Sequence, residues 1–484
     1  MEMNNTETTP ATASRDTGFN IINREDELND MQEVLYRLTT PGRLVTKPIL
    51  EINGIGGIGK TVLLKKFWQE SKAHEELFCA FVDFHEFAQE RSASLNKLIL
   101  DIVRQIGIKN DASTRIEAEA GNPEIKHDLT ADLIDYLTAV LNTPQKEVPL
   151  SLIFDSVDEV DKNKTDIRKW LISLIEGTVE AGKILFTIAS KTSLGFKQES
   201  NLEKKVYALR LKEFDQELTL RHIEGVMRNI DPGESLQNWA NVVFRLTHGH
   251  PMANEIVVSE ARRREYVPQT IRNNLYEFAQ LIDQKVVIPK VFHGYNTEEI
   301  NRFRQMLTHL SIPRMFNLVS MGRIIGKFTP EYALKSSWHY SNYVRELQHE
   351  TSFVSYSKEK SAYVVNPILR SVFSLTLKNE SPEKFIKIHQ SLADLYSDWI
   401  KDAKGTDKTK YFIEKIYHQL SCDTLPDALI PQFREFAEII IVQNVDEERQ
   451  RDAKQQFIEE FKSDPDFGEY FNELTRANIL KLFE

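Results

Sequence analysis

The sequence predicts an α/β unit built on a mostly parallel sheet, followed by helical units, one of which carries a hairpin. Three observations carry this. Apolar runs of strand length alternate with amphipathic helical patterns as far as Leu211. Strand patterns stop after Asp215. After further helical patterns, Ser352 to Val365 (SFVSYSKEKSAYVV) alternates apolar and polar residues about a polar turn, and helices follow to the end. The expected division is a disordered tail over 1–17, an α/β unit over 18–213, a helical unit over 214–294, a winged-helix pattern over 295–378 and an all-α, TPR-like unit over 379–484.

Composition bounds the answer. A chain of 484 residues is too long for one core. With 41% apolar and 27% charged residues it reads as globular, and no apolar run approaches the ~20 residues of a membrane span. The net charge of −11 argues against a chain-wide nucleic-acid surface. Two distant cysteines, Cys79 and Cys422, fit a reducing cytoplasm. The Thr-, Asn- and Glu-rich tail has no apolar core of a signal peptide.

The elements follow in order. Leu28, Met31, Val34, Leu35 and Leu38 recur at helical spacing after Arg24, which local sequence leaves as a solvated arginine among acids. Pro48 to Leu64 (PILEINGIGGIGKTVLL) is a strand, a glycine-rich loop and a helix, with GxxxxGK[ST] between them. Glycines let successive N–H groups converge on phosphate oxygens, and the helix start adds its positive dipole end. Lys60 would reach the β- and γ-phosphates and Thr61 would ligate Mg²⁺. This is a P-loop NTPase signature.

Leu77 to Phe84 reads as a second strand, Leu95 to Ile106 and Leu129 to Leu141 as helices, and Ile108 to His127 as a polar loop. Val148 to Val160 (VPLSLIFDSVDEV) is a buried strand delivering Asp155 at its C-terminal edge, where such a sheet needs a carboxylate for Mg²⁺. Asp158 or Glu159 would complete the shell or orient the attacking water. Lys183 to Ser190 and Lys205 to Leu211 give two more strands. Beyond them, Leu218–Ile230, Trp239–Thr247 and Pro251–Arg262 are helical. Asn296 with Glu299 forms a capping box, and Ser381-Pro382-Glu383 opens a long helix with Ser381 as its N-cap.

With these motifs in place, residues 18–420 resemble STAND-type P-loop ATPases, the NB-ARC and NACHT signal-transduction class. Ile22 to Leu28 (INREDEL) is similar to its entry motif, GIGGIGKT to its Walker A variant, and LIFDSVDE to its NACHT-like Walker B. Leu246 to Ala253 (LTHGHPMA) is similar to the GxP motif and Val364 to Arg370 (VVNPILR) to the winged-helix segment related to MHD. The resemblance implies ATP or ADP with Mg²⁺, bound by Ile22, Arg24, Gly54, Ile55, Gly56, Gly57, Ile58, Gly59, Lys60, Thr61, Val62, Ser190, Pro251 and Asn366. Lys60, Asp155, Asp158 and Glu159 would be catalytic, with Thr61 and Asp155 on the metal. It further implies a winged helix that closes over ADP as an intramolecular lever, and nucleotide-dependent oligomerisation. An effector or sensor on another chain or segment is expected, since neither is visible here.

Three departures imply slow hydrolysis. Asn366 stands where a histidine meets the ADP β-phosphate, Ser190-Lys191 where an arginine senses the γ-phosphate, and Ser156 where many members carry a second aspartate. The expected function is a slow, regulatory ATPase switch, with defence or stress signalling as the expected setting. The alternative is a replication-initiator-type AAA+ ATPase engaging DNA through the winged helix. Against it, Gly249-His250-Pro251 occupies the stretch where such a loader shows a second-sensor arginine. Arg262–Arg264 read as a solvated helix end, His248 and His250 as structural, and Trp338, Tyr340 and Tyr343 as a winged-helix core stripe.

Overall fold

The computed structural model describes residues 24–43, 45–89, 94–120, 128–143, 148–159, 167–196, 201–228, 234–403, 406–443, 447–464 and 467–483. Ile22, the tail and the Gly121-Asn122-Pro123 and Asp231-Pro232-Gly233 breaks lie outside them. The first unit runs α1 (Glu25–Thr39), β1 (Ile49–Asn53), α2 (Lys60–Lys72), β2 (Phe78–Asp83), α3 (Phe84–Gln89), α4 (Leu95–Ile106), α5 (Asp111–Ala120), α6 (Thr130–Leu141), β3 (Leu150–Asp155), α7 (Ile167–Thr178), β4 (Ile184–Ser190) and β5 (Val206–Arg210). The strands form one sheet in the order β2-β3-β4-β1-β5, every pair parallel.

Alternation along β1 builds the two layers. Leu50 and Ile52 face a core shared with α1 and α2, whereas Ile49 faces a second core with Leu98, Leu133 and Leu171 of α4, α6 and α7. Each such fully buried side chain stabilises by roughly 1.5–3 kcal/mol. Glu51 lies between them, 0% exposed, and is accommodated because Ser193 Oγ and the Leu194 amide donate to it at 3.0 and 2.5 Å. The sheet thereby fixes the loop that follows β4.

The stretch read as a polar loop contains α5. Its start is capped reciprocally, Asn110 Oδ1 accepting from the Ser113 amide at 2.8 Å and Ser113 Oγ from the Asn110 amide at 2.9 Å. Ile116 then buries completely against the second core. One apolar turn per helix was enough once tertiary packing covered it.

The helical unit comprises α8 (Gln216–Val226), α9 (Leu236–Thr247), α10 (Pro251–Arg263), α11 (Pro268–Asn273) and α12 (Leu275–Ile282), and continues into a π-helix over Asp283–Val291. The winged-helix unit follows as α13 (Thr297–Leu310), α14 (Leu318–Phe328), α15 (Ser337–Arg345), the antiparallel hairpin β6 (Val354–Ser357) and β7 (Ala362–Val365), and α16 (Pro367–Glu380). The Asn296–Glu299 capping box opens α13 as expected. Tyr340 and Tyr343 are buried, but Trp338 is 67% exposed and leaves the expected stripe. At helical spacing it lies two residues before Tyr340, on the opposite side of α15. Arg263 and Arg264 fold back on Glu260, and Arg264 also pairs with Glu277, so that helix end is tied locally.

The last helices are α17 (Pro382–Asp402), α18 (Thr406–Leu420), α19 (Pro426–Gln443), α20 (Glu447–Ser463), α21 (Phe467–Tyr470) and α22 (Glu473–Leu480). Ser381 precedes α17, but its side chain makes no cap bond. Phenylalanines fill this core, Phe412 stacking on Phe436 at 3.9 Å. Arg314, in the turn between α13 and α14, joins it to the winged helix. Its guanidinium donates to Glu414 on α18 at 2.7 Å, pairs with Asp464 after α20, and lies 4.4 Å over Tyr417. All three ion-pair members are at most 10% exposed. Arg314→Ala, which strands two buried carboxylates, is expected to cost about 3–5 kcal/mol. Hydrogen exchange should show α18 and α20 opening first.

Candidate functional site

The site lies at the C-terminal edge of the sheet, where β1 hands the chain to the glycine loop. Gly59, at φ +103°, makes the left-handed step into α2. Lys60 reaches back over the loop and donates to the Gly54 and Ile55 carbonyls at 2.6 and 3.3 Å. Asp155 ends β3 at 0% exposure, beside Asp83, its register partner at the end of β2. Neither Asp155 oxygen completes a hydrogen bond of good geometry. Burial pushes its carboxyl up to about 6, Asp83 adding to the rise while Thr61, Lys60 and the Ser156 backbone oppose it. Two orphaned, buried carboxylate oxygens beside a threonine hydroxyl suit a hard cation, so these residues fit Mg²⁺.

A cavity of about 750 Å³ opens over this edge. Gly56 to Leu63 line it, together with Asp83, His85, Ser156, Asp158 and Lys191, with Arg24, Phe214, His222 and Val226, and with Pro251 and Met252 of α10. Among the sequence-derived candidates, Arg24, Gly56, Gly57, Ile58, Gly59, Lys60, Thr61, Val62, Asp158 and Pro251 line this one space. Gly54 and Ile55 lie beneath it as the acceptors of Lys60.

Arg24 is not the solvated arginine of the local reading. It is 6% exposed, donates to the Ile58 and Lys212 carbonyls at 3.2 and 2.7 Å, pairs with Glu27 at 2.9 Å and covers the Phe214 ring at 4.7 Å. Burial lowers its pKa, Glu27 and Glu213 opposing. It fastens α1 to the P-loop and to the exit of β5.

Other candidates do not converge. Ser190 is fully buried and donates to the Thr192 carbonyl instead of facing the cavity. Asn366 caps α16 through the Ile368 amide at 3.2 Å and donates to Glu213 at 2.7 Å, so it too lies off the cavity lining. Asp158 accepts from the Lys191 amide at 2.9 Å, with Lys191 Nζ 3.7 Å from its second oxygen. Glu159 closes the short 3-10 turn after β3.

Sequence reading missed several lining residues. Asp83 ends FCAFVD as Asp155 ends LSLIFD, so its signal was present. His222 and Lys290 had no local signal. His250, read as structural, joins α10 to the P-loop. Its Nε2–H donates to the Gly56 carbonyl at 3.0 Å while Nδ1 accepts from the Ala253 amide at 3.3 Å, which fixes the neutral tautomer. Just before it, Gly249 sits at φ +78°, where a Cβ would lie 1.8 Å from the Phe214 carbonyl oxygen.

A family model described as nephrocystin 3, N-terminal, matches residues 33–190. The Walker-type ATPase paby2304 of Pyrococcus abyssi superposes with a TM-score of 0.51 at 15% identity, covering 73% of this chain and 96% of that one. The chain has a P-loop NTPase fold. Two looser likenesses to this P-loop NTPase, too low to argue from, are Cdc6p from Pyrobaculum aerophilum (TM-score 0.35, 15% identity, 74% and 94% covered) and the Aeropyrum pernix ORC1 protein in complex with DNA (0.36, 16%, 74% and 93%). No curated protein matches the sequence.

Burial holds His222 and His250 down to about 4, from 6.5 in an open chain. The unfolded state therefore binds more protons between these values, and stability falls as pH drops from 6.5 towards 4. Asp155 acts oppositely between 3.8 and about 6 and offsets part of the loss. Urea unfolding at about pH 7.5 and about pH 5 should show lower stability at the acid value, and His250→Gln should flatten that difference.

Proposed function

We propose that this P-loop NTPase is an ATP/ADP-dependent conformational switch of the STAND kind. The carrying observation is a set of contacts between Lys191, which lines the cavity, and the winged-helix side of the chain. Lys191 Nζ donates to the His293 carbonyl at 3.0 Å, and Ser352 Oγ donates to the Lys191 carbonyl at 3.0 Å. The same Lys191 holds Asp158 through its amide. Whatever moves Asp158 or Lys191 on nucleotide exchange is thereby felt at His293 and Ser352.

In this reading the P-loop amides and Lys60 bind the polyphosphate, while Thr61 and Asp155 hold Mg²⁺. The bound cation would neutralise charge on the β- and γ-phosphates. Arg24, Phe214 and Pro251 would border the base and ribose. Asp158 is already held by the Lys191 amide at 2.9 Å, which ties up one of its oxygens and supports slow turnover. Asn366 would then act through Glu213 rather than on phosphate. The units at 18–213, 214–294, 295–378 and 379–484 are the bodies that would rearrange, with oligomerisation or a partner chain as the output.

A second reading, an initiator-type ATPase that engages DNA, is favoured by one feature. Helix α15 leaves Trp338, His339 and Arg345 exposed, Lys335 is exposed just before it, and the hairpin tip presents Lys358 and Lys360. The net charge of −11 does not weigh against so local a surface. The ORC1 protein and Drosophila ORC have been seen with DNA, at a likeness too low to argue from.

Sizing the protein with ADP, ATP and a non-hydrolysable analogue tests the switch. A nucleotide-dependent change in size or shape is expected, and Lys60→Ala should abolish it along with at least ~100-fold of nucleotide affinity. Unchanged assembly in Lys60→Ala would refute the reading. Duplex binding whose log–log salt slope is near −0.9 per phosphate contact, lost in a Trp338→Ala/Arg345→Ala variant, would establish the second.

A further inference from the structure

The linker between the helical and winged-helix units reaches the P-loop itself. The π-helix over Asp283–Val291 contains Pro289, which has no amide to donate, and closes with the Phe292 amide on the Val287 carbonyl at 2.8 Å. This wide turn sets the Lys290 carbonyl against Gly56, where an added Cβ would lie 2.1 Å from the oxygen. Three residues on, the His293 ring meets the His85 ring at 5.6 Å, and the His293 carbonyl receives Lys191 Nζ. The linker is therefore docked against the glycine loop, beside His85 and Lys191.

Lys290 lines the same cavity as Lys60, Lys191, Asp83 and Asp158. The first two lysines are occupied, Lys60 by loop carbonyls and Lys191 by Asp158 and His293. Lys290 is exposed and makes no ion pair among the described residues. An uncommitted ammonium on a fixed backbone, beside a loop shaped for phosphate, is an anion-binding group that the P-loop signature does not include.

We propose that Lys290 is a polyphosphate-binding residue, supplied by the linker, that favours the nucleoside triphosphate over the diphosphate. The preference follows from charge, since the triphosphate carries one more negative charge at the end where the linker sits. Because the same residue's carbonyl touches Gly56, the cation and the linker's position are coupled. Binding the longer phosphate chain would draw on Lys290 without breaking the Lys60 contacts. The inference rests on the cavity being a nucleotide site.

The test measures affinities of the full chain for Mg²⁺–ADP and for Mg²⁺ with a non-hydrolysable ATP analogue, by calorimetry. Lys290→Ala should weaken the analogue about 10-fold and ADP less than about 3-fold, with Lys290→Arg restoring the difference and Lys290→Glu enlarging it. Far-UV circular dichroism and melting temperature should match the wild type, since the side chain is exposed. Equal weakening of both nucleotides, or none, while Lys60→Ala still loses them, overturns the role of Lys290 and leaves the nucleotide site standing. Absence of binding by the wild type overturns both.

Discussion

The imidazole of His250 is the contact on which the arrangement of the site depends. It holds the Gly56 carbonyl with one nitrogen and the first turn of α10 with the other. A protonated ring could not accept from Ala253, and full burial keeps it neutral. The glycine loop is thus fastened from above by the helical unit as well as carried from below by β1. The loop needs such support, because its backbone amides are turned towards a ligand and not towards each other.

Around this clamp the three walls of the cavity are tied in pairs. Arg24 connects α1 to the loop and to Lys212 after β5. The Phe214 amide bonds the Gly249 carbonyl at 3.0 Å, joining the exit of the sheet to the start of α10. Glu51, buried in β1, fixes the 193–194 backbone and so steadies Lys191. One apolar core runs without a break from Met31 on α1 through Leu50 and Val257 to Phe303 and Phe373 in the winged helix. Sheet, helical unit and winged helix therefore share packing on one side of the sheet, while the opposite face is closed by its own helices.

Much of the sheet was legible because its signals are contiguous. Runs such as LSLIFD and KILFTIAS contain strand length and burial in a few residues, and LSLIFD adds the edge carboxylate. The P-loop was legible for the same reason. Residues that meet across the chain were not. Asn366 finds Glu213 over 153 positions, and nothing near either announces the partner. Lys290 reaches the loop only because Pro289 and the wide turn re-aim the linker. Asp83 is legible from the strand ending it shares with Asp155. The α5 segment was lost because two capping residues and one buried isoleucine make a weak periodic signal.

The crowding at Gly56 has a consequence for how this loop can vary. In a P-loop, glycines are ordinarily explained by the bound phosphate. Here the backbone of Gly56 is not in the left-handed region, and the atom that excludes a side chain is a carbonyl oxygen of the chain itself. A descendant that abandoned nucleotides altogether would still be held to glycine at this position for as long as the linker stayed docked. Glycine at 56 therefore records the docking of the linker, and tolerance of alanine there would mark a chain whose linker had moved away.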